Sequence, residues 1–270
     1  RGDGRADGRG VGGRAVGQRQ LTGHSAAVSD SHRMPPTHLD SFVPPPPVGR
    51  RAEVLAGLTR AIVEQESSRR LVIAIDGVDG AGKTVLALEL ADMLAPHREV
   101  SRASIDGFHH HRAQRYARGR TAESFYRDSY DHGAIRTLLV EPFRAGAPWR
   151  RAVYDVQREM AVEAPPEPGS GRSAVLLVDG IFLHRPELDD LWDASIWVEV
   201  PFEVSVPRGN ARFGEVDALG ADPASEGNAR YVGGQRLYLA DVDPVTRATW
   251  VLDNTDLAAP VLLTGPLDVG

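Results

Sequence analysis

A single lysine carries the most specific chemical signal in this sequence. Lys83 is the one lysine among 31 lysine and arginine residues, and it lies in the segment GVDGAGKT at 77–84. This segment fits G-x-x-x-x-G-K-[ST], a phosphate-binding loop (P-loop) whose backbone N–H groups face phosphate oxygens. A compact ammonium fits between the β- and γ-phosphates, whereas a planar guanidinium would collide with the loop. The residues predicted to hold a nucleoside triphosphate are Gly77, Asp79, Gly80, Ala81, Gly82, Lys83 and Thr84.

Oxygen ligands for Mg²⁺ are predicted at three positions. The Thr84 hydroxyl is the usual P-loop metal ligand. Asp179 ends the apolar run 174–178 and Asp106 ends a weaker one at 99–105, and ligands of a parallel sheet gather at the carboxyl ends of its strands. Asp179 is expected to organise Mg²⁺, and Asp106 to help hold it or to accept a hydroxyl proton. Each aspartate precedes glycine, so a plain Asp-Gly turn is the alternative at both positions.

These residues need a sheet and helices to position them. The apolar run 71–75 predicts a buried strand before the P-loop, and the periodic apolar residues of 85–94 predict a helix ended by Pro96. Strands alternating with helices predict an α/β fold, a parallel sheet with helices on both faces. Further strands are predicted at 99–105, 152–156, 174–178, 196–200 and, as the last one, 249–252. Further helices are predicted at 51–66, at 133–140 with Pro142 as the stop, at 202–213 and at 228–240.

Composition narrows the class of protein. The net charge is −6 and the chain has no cysteine, so disulfides, thiolate metal sites and Cys nucleophiles are excluded, and no nucleic-acid or membrane partner is indicated. With no signal segment or long apolar stretch, a cytoplasmic location is expected. The oligomeric state is left open, with a homo-oligomer allowed.

The first 49 residues differ from the rest. Residues 1–33 are rich in glycine and arginine with no periodicity, which predicts disorder. Pro44–Pro47 predict a stiff linker, so the folded domain is expected at 50–270. The first methionine is Met34. A native start near Met34 and a genuine floppy tail are equally good interpretations, which the intact mass of the native protein would separate.

Five segments together resemble the uridine kinase-like family, which includes phosphoribulokinase and bacterial pantothenate kinases. They are IDGVDGAGKT (75–84), SIDGFH (104–109), YDH (130–132), VYD (153–155) and LVDGI (177–181). The resemblance spans about residues 52–256. It implies a P-loop NTPase fold, a three-layer sandwich with a mobile lid at about 208–230, and ATP and Mg²⁺ as cofactors.

The resemblance also implies residue roles in phosphate transfer to a small-molecule hydroxyl. Asp106 corresponds to the catalytic base, and Lys83 serves the transferring phosphate together with the lid arginines Arg208 and Arg212. The residues implied on the acceptor side are Asp106, His109, Asp131, His132 and Tyr154.

Several positions depart from the family pattern. Gln157 and Arg158 stand where uridine kinases place an acceptor histidine, and Asp179 replaces their usual glutamate. Phe213 follows Arg212 where the lid normally reads Arg-Asp, and Pro207 is expected to interrupt the helix before the lid. These differences weaken the assignment of uridine as the acceptor more than the assignment as a kinase.

Two runs of basic residues have more than one interpretation. His109–His111 could hold a metal, contact substrate or form a solvated surface, and consecutive residues do not converge on one ligand in a helix. Arg112, Arg115, Arg118 and Arg120 are interpreted as a solvated helix face, with an anion-binding patch as the alternative.

The leading functional hypothesis is a small-molecule kinase with uridine or cytidine favoured as acceptor. Pantothenate or another metabolite is the alternative acceptor, and a non-catalytic nucleotide-binding regulator is the alternative class. P-loop GTPase switches need the lysine of an Asn-Lys-x-Asp segment, and partition-type ATPases need an extra P-loop lysine. A chain with one lysine excludes both.

Overall fold

A computed structural model describes residues 1–2, 42–65, 68–212 and 220–264. The chain divides into two units, Arg1–Asp30 and Ser31–Gly270. Only residues 1–2 of the first unit are described, so the predicted disorder of 1–33 and the Met34 start lie outside the described residues. The predicted linker at 44–47 has neither helix nor strand, and residues 213–219 of the predicted lid are also outside the described part.

The core of the second unit is a mainly parallel sheet. Its strands are β1 Leu71–Gly77, β2 Val100–Ser104, β5 Val175–Gly180, β6 Ala194–Glu199, β7 Trp250–Asp253 and β8 Val261–Thr264. Their order is β2-β5-β1-β6-β7-β8. All are parallel except β8, which pairs antiparallel with β7. A separate small hairpin joins β3, Tyr154–Asp155, to β4, Met160–Ala161.

Helices flank this sheet, as the sequence predicts for an α/β fold. Every residue of β1 and β5 is buried, which explains their unbroken apolar composition. The longer helices are α1 Gly49–Val63, α2 Lys83–Leu94, α7 Phe202–Arg212 and α8 Ala229–Val242. The shorter ones are α3 Arg112–Arg115, α4 Ala122–Asp128, α5 His132–Ala134, α6 Glu141–Ala145 and α9 Pro244–Arg247.

The helix predicted to stop at Pro142 continues past it, so that prediction is wrong. A π-helical segment, Ile135–Val140, joins α5 to α6, and α6 ends at Ala145. Proline has no N–H to donate to the carbonyl four residues before it. The Leu138 carbonyl instead accepts a hydrogen bond of 2.7 Å from the Arg150 N–H. A donor from later in the chain therefore replaces the bond that Pro142 cannot make.

Two other local predictions are wrong. Helix α7 continues through Pro207, although proline was expected to interrupt it. The strand predicted to be last is followed by β8. This edge strand pairs with β7, and the register shifts between Val251 and Leu252. Strand β8 is apolar but largely exposed, with Val261 45% and Leu263 55% exposed.

Candidate active site

The P-loop leaves β1 and enters α2 in a conformation that depends on glycine. Gly80 and Gly82 have φ angles of +76° and +93°, which residues with a Cβ rarely adopt. A Cβ on Gly80 would lie 2.0 Å from the Ser205 carbonyl oxygen of α7. The loop is therefore packed against the helix that precedes the predicted lid.

The Lys83 side chain bends back across this loop. Its Nζ donates to the Val78 carbonyl at 2.7 Å, and the residue is only 8% exposed. The ammonium is thus held within the loop that is predicted to surround the phosphates.

Thr84 and Asp179 meet directly. The Thr84 hydroxyl donates to Asp179 Oδ2 at 2.8 Å, joining the start of α2 to the end of β5. The pKa of Asp179 is raised from 3.8 to about 6, chiefly by burial; the Thr84 hydrogen bond opposes this rise and the negative charge of Asp106 adds to it. The carboxylates of Asp179 and Asp106 and the hydroxyl of Thr84 therefore lie close together in a partly desolvated region.

Asp106 lies beside Asp179 because their strands are neighbours. Ser104, the last residue of β2, is in register with Asp179, and Asp106 follows in a short 3-10 helix. The Tyr130 hydroxyl donates to Asp106 Oδ1 at 3.0 Å. A phenol thereby holds one carboxylate oxygen in a fixed direction.

His109 is part of this arrangement and is not a surface residue. It is 6% exposed, its ring centroid lies 4.4 Å from that of Tyr130, and its Nδ1 is 3.2 Å from the Asp106 carbonyl. Among the described residues, no group of three or more His, Asp or Glu side chains could hold a metal alone. The interpretation of His109 as solvated is wrong, because Tyr130 and the backbone of Asp106 enclose it.

Asp131 and His132 directly follow Tyr130 in the chain. The Asp131 carboxylate accepts from the Ala134 N–H at 2.9 Å and caps α5. The pKa of His132 is lowered from 6.5 to about 4, chiefly by burial and also by the positive charge of Arg185. His132 is therefore a neutral imidazole near pH 7.

The Tyr154 hydroxyl belongs to a different network. It donates to Glu159 Oε2 at 2.8 Å, and the other Glu159 oxygen accepts from Arg115 at 2.5 Å. Arg115 is 3% exposed, so the interpretation of this arginine as part of a solvated helix face is wrong. Tyr154 is thus tied to α3 through a partly buried ion pair.

The predicted lid arginines are only partly placed. Arg208 Nη1 donates to the Asn254 carbonyl at 3.0 Å, and its Nη2 donates to the Thr255 carbonyl. Asn254 in turn donates to the Ala81 carbonyl of the P-loop at 2.7 Å. Asn254 therefore links Arg208 to the loop. Arg212 ends α7, and its side chain lies outside the described part.

Sequence reasoning missed the residues that hold the P-loop from outside. Gln235 of α8 accepts from the Asp79 N–H at 2.6 Å. Asp76 is fully buried and accepts from the N–H groups of Gly77, at 2.7 Å, and Leu183, at 3.0 Å. Its Oδ2 lies 2.8 Å from His184 Nδ1 and also accepts from the Tyr238 hydroxyl. A carboxylate directly after an apolar strand was the available signal, whereas Gln235 gave none.

No protein-family model matches this chain, and no curated protein matches it. Solved structures do. A possible uridine kinase from Bacillus stearothermophilus has a TM-score of 0.57 at 22% identity, over 74% of this chain and 97% of that one. A protein described as a candidate kinase of a fructose transport system, from Silicibacter sp. TM1040, has a TM-score of 0.56 at 22% identity, over 70% and 95%. The YGR205w protein has a TM-score of 0.51 at 13% identity, over 74% and 90%.

The fold and the P-loop place this chain among the P-loop kinases in architecture. The likeness to the uridine kinase-like group, inferred from the motifs, is confirmed at the level of the fold. Of the helices in the described ranges, none is long and apolar enough to cross a membrane.

Proposed function

We propose that this protein is a kinase that transfers the γ-phosphate of ATP to a hydroxyl of a small, nucleoside-like molecule. One observation carries the proposal. Asp106 follows β2 and Asp179 lies near the end of the adjacent strand β5, and Asp179 is hydrogen-bonded to Thr84 of the P-loop at 2.8 Å. A base, a metal-organising carboxylate and a triphosphate-binding loop therefore adjoin one another.

The P-loop, residues 77–84, would hold the donor. Its N–H groups and the start of α2 favour phosphate oxygens. Lys83, now bonded to the Val78 carbonyl at 2.7 Å, would exchange that bond for oxygens of the β- and γ-phosphates. The exchange would need only a short movement of the ammonium, because the loop that now accepts its hydrogen bond is the loop proposed to surround the phosphates.

The residues present fit Mg²⁺. Thr84, Asp179 and Asp106 supply hard oxygen donors, and protein sites for Mg²⁺ commonly use one or two carboxylates completed by phosphates and water. This is consistent with the lack of a larger ligand cluster in the described ranges. Bound Mg²⁺ would neutralise charge on the transferring phosphates. A cation would also favour the ionised form of Asp179 over its protonated form.

Asp106 is proposed to accept the proton of the acceptor hydroxyl. As the proton moves to a carboxylate oxygen, the hydroxyl oxygen bonds to the γ-phosphorus, and the bond to the β,γ-bridging oxygen breaks with its electron pair leaving on ADP. Tyr130 would orient the carboxylate through its 3.0 Å hydrogen bond. Positioning and electrostatics would supply most of the acceleration.

The remaining predicted residues are proposed to surround the acceptor and the transferring phosphate. His109 and the neutral His132 can donate or accept hydrogen bonds, and Asp131 and Tyr154 complete that side. Arg208 and Arg212 are proposed to approach the phosphate when the lid closes, for which Arg208 would leave the carbonyls of Asn254 and Thr255.

Uridine or cytidine is the favoured acceptor, on the strength of the five sequence segments. Two similar structures are described as a possible uridine kinase and a candidate kinase of a fructose transport system. The names of these two proteins point to different acceptors, so the shared fold does not choose between a nucleoside and a sugar. Pantothenate remains the other acceptor to test.

The test is acceptor-dependent ADP release. The purified chain would be assayed with ATP or GTP, Mg²⁺ and a panel containing uridine, cytidine, fructose and pantothenate. The expected result is release of ADP or GDP that depends on one of the acceptors. This release should be lost in the Asp106→Asn variant. Nucleotide binding with no acceptor-dependent release across a wider metabolite library would overturn the proposal and favour the regulatory alternative.

A further inference from the structure

A chain of hydrogen bonds in the core joins Ser195, His184 and Asp76. His184 Nε2 lies 2.9 Å from the Ser195 hydroxyl oxygen, and His184 Nδ1 lies 2.8 Å from Asp76 Oδ2. Serine, histidine and aspartate bonded in this order form the triad of many hydrolases. Here the three residues are only 5%, 1% and 0% exposed, so no substrate reaches the hydroxyl. The bonds therefore orient groups of the protein and do not serve a nucleophile.

The partners of His184 decide which of its ring nitrogens carries the proton. Both oxygens of Asp76 accept from backbone and hydroxyl donors, which is the pattern of an ionised carboxylate. Nδ1 therefore donates to Asp76, and Nε2 of the neutral imidazole accepts from the Ser195 hydroxyl. The Ser195 oxygen is itself held by the Thr249 N–H at 3.3 Å. Ser195 thus selects the Nδ1–H tautomer of His184.

Asp76 connects this chain of bonds to the proposed nucleotide site. Its Oδ1 accepts from the N–H of Gly77, the first residue of the P-loop, at 2.7 Å. Its Oδ2 accepts from the N–H groups of Leu183 and His184 at 3.0 and 3.2 Å, in the segment that follows β5, the strand of Asp179. In the described part of the chain, no lysine or arginine pairs with Asp76, and its one basic neighbour is His184. One buried carboxylate therefore links the start of the P-loop to the end of the strand that carries Asp179.

We propose that His184 is a positioning residue of the nucleotide site and that Ser195 holds it in the donating tautomer. This role rests on the proposed function, since its consequence is the geometry with which the P-loop holds ATP. Loss of the Nδ1–H donor would leave the buried charge of Asp76 less well compensated. The carboxylate would then change its hold on the Gly77 N–H, and with it the direction of the first N–H of the P-loop.

Two substitutions at His184 separate this role from packing. Asparagine keeps an N–H donor close to the position of Nδ1, whereas leucine fills the buried volume without a donor. In calorimetric titrations of the full chain with ATP and Mg²⁺, His184→Asn should bind within about threefold of the wild type and His184→Leu at least about tenfold more weakly, because a hydrogen bond to a charged group is lost. A residue that only packs would give the opposite order, since a buried apolar site tolerates leucine better than an amide. Urea unfolding would measure the stability of each variant separately.

Ser195→Ala tests the other end of the chain of bonds and keeps the proposal falsifiable if the leucine variant does not fold. Nitrogen-15 NMR would report the tautomer, with the His184 signals identified by their absence in His184→Asn. Nδ1 should be protonated in the wild type, and a mixture of tautomers should appear in Ser195→Ala. Ser101→Ala, which removes the same hydroxyl from β2, is the matched control and should leave the tautomer unchanged.

Three outcomes would count against the proposal. An Nε2–H tautomer in the wild type, or equal losses of ATP affinity in the asparagine and leucine variants of His184, would overturn the positioning role alone. A wild-type chain that binds no ATP would overturn the proposed kinase together with this role.

Discussion

The lysine ammonium and the neighbouring carboxylates are held by hydrogen bonds to other residues of the protein. Lys83 is hydrogen-bonded within its own loop, Thr84 is bonded to Asp179, and Tyr130 is bonded to Asp106. Each of these contacts fixes a direction in which a reacting group would point. Substitutions that keep charge or shape but change this direction are therefore the informative ones.

Lys83→Arg should lower turnover by at least about 10², although the charge is kept, because the planar guanidinium is too broad for the loop that surrounds the ammonium. Steady-state kinetics with a productive acceptor would measure this. Circular dichroism should show an unchanged fold. Turnover close to that of the wild type would contradict the assigned role of Lys83.

Asp106→Asn should reduce kcat by about 10²–10⁴, as expected for the loss of a general base. Asparagine can still accept the Tyr130 hydrogen bond, so the dissociation constant for ATP should stay within about twofold, measured by calorimetry. Tyr130→Phe is the matched control: it keeps the base, loses its orientation and should cost less. Equal losses in the two variants would remove proton transfer as the role of Asp106.

At the scale of elements, two helices contact neighbouring residues of the P-loop. Helix α7 contacts Gly80, and α8 contacts Asp79 through Gln235. Tyr238 of α8 also bonds to Asp76, just before the loop. The segment predicted to form the lid, at about 208–230, includes the end of α7 and the first residues of α8.

Gly80→Ala should destabilise the protein by about 2–4 kcal/mol and weaken ATP binding, because its φ of +76° is strained for alanine and the new methyl would meet the Ser205 carbonyl. Urea unfolding and calorimetry would measure the two effects. Gly209→Ala is the control from the facing helix, where a Cβ would stay 3.6 Å from Gly80. That variant should be neutral or slightly stabilising. Equal losses of stability in the two variants would mean that the φ angle and packing of Gly80 are not the cause.

At the scale of the whole molecule, the buried carboxylate of Asp179 in the proposed site lowers the free energy of unfolding near neutral pH. The pKa of Asp179 is raised from 3.8 to about 6, chiefly by burial. The folded state therefore binds this proton more tightly than the unfolded chain does. The contribution of Asp179 to the free energy of unfolding falls as pH rises from about 4 to about 6, and it stays low above that range.

Asp179→Asn should remove this pH-dependent cost. In the absence of nucleotide and Mg²⁺, the stability of the variant relative to wild type should grow by roughly 2–3 kcal/mol between pH 4 and pH 7, while activity is lost. Urea unfolding at several pH values would measure it. Asp92→Asn, at an exposed carboxylate of α2, is the charge-matched control. A stability difference for Asp179→Asn that does not change with pH would refute the prediction.

The sequence alone determined the nucleotide loop, the alternation of strands and helices, and the two strand-end aspartates. These features are local: a strand, a turn and a helix follow from residues a few positions apart. Where a local rule was wrong, a distant partner is the reason. Arg150 supplies the donor that lets the helix pass Pro142, and Tyr130 and the backbone of Asp106 bury His109.

Only the tertiary structure decided which side chains meet. The Thr84–Asp179 bond joins residues 95 positions apart, and the Asp76–His184 pair joins residues 108 positions apart. Such contacts depend on strand order and register, which place Asp179 next to Asp106, and no short-range pattern encodes them. The sequence thus specified the chemistry of each group, and the sheet specified which groups act together.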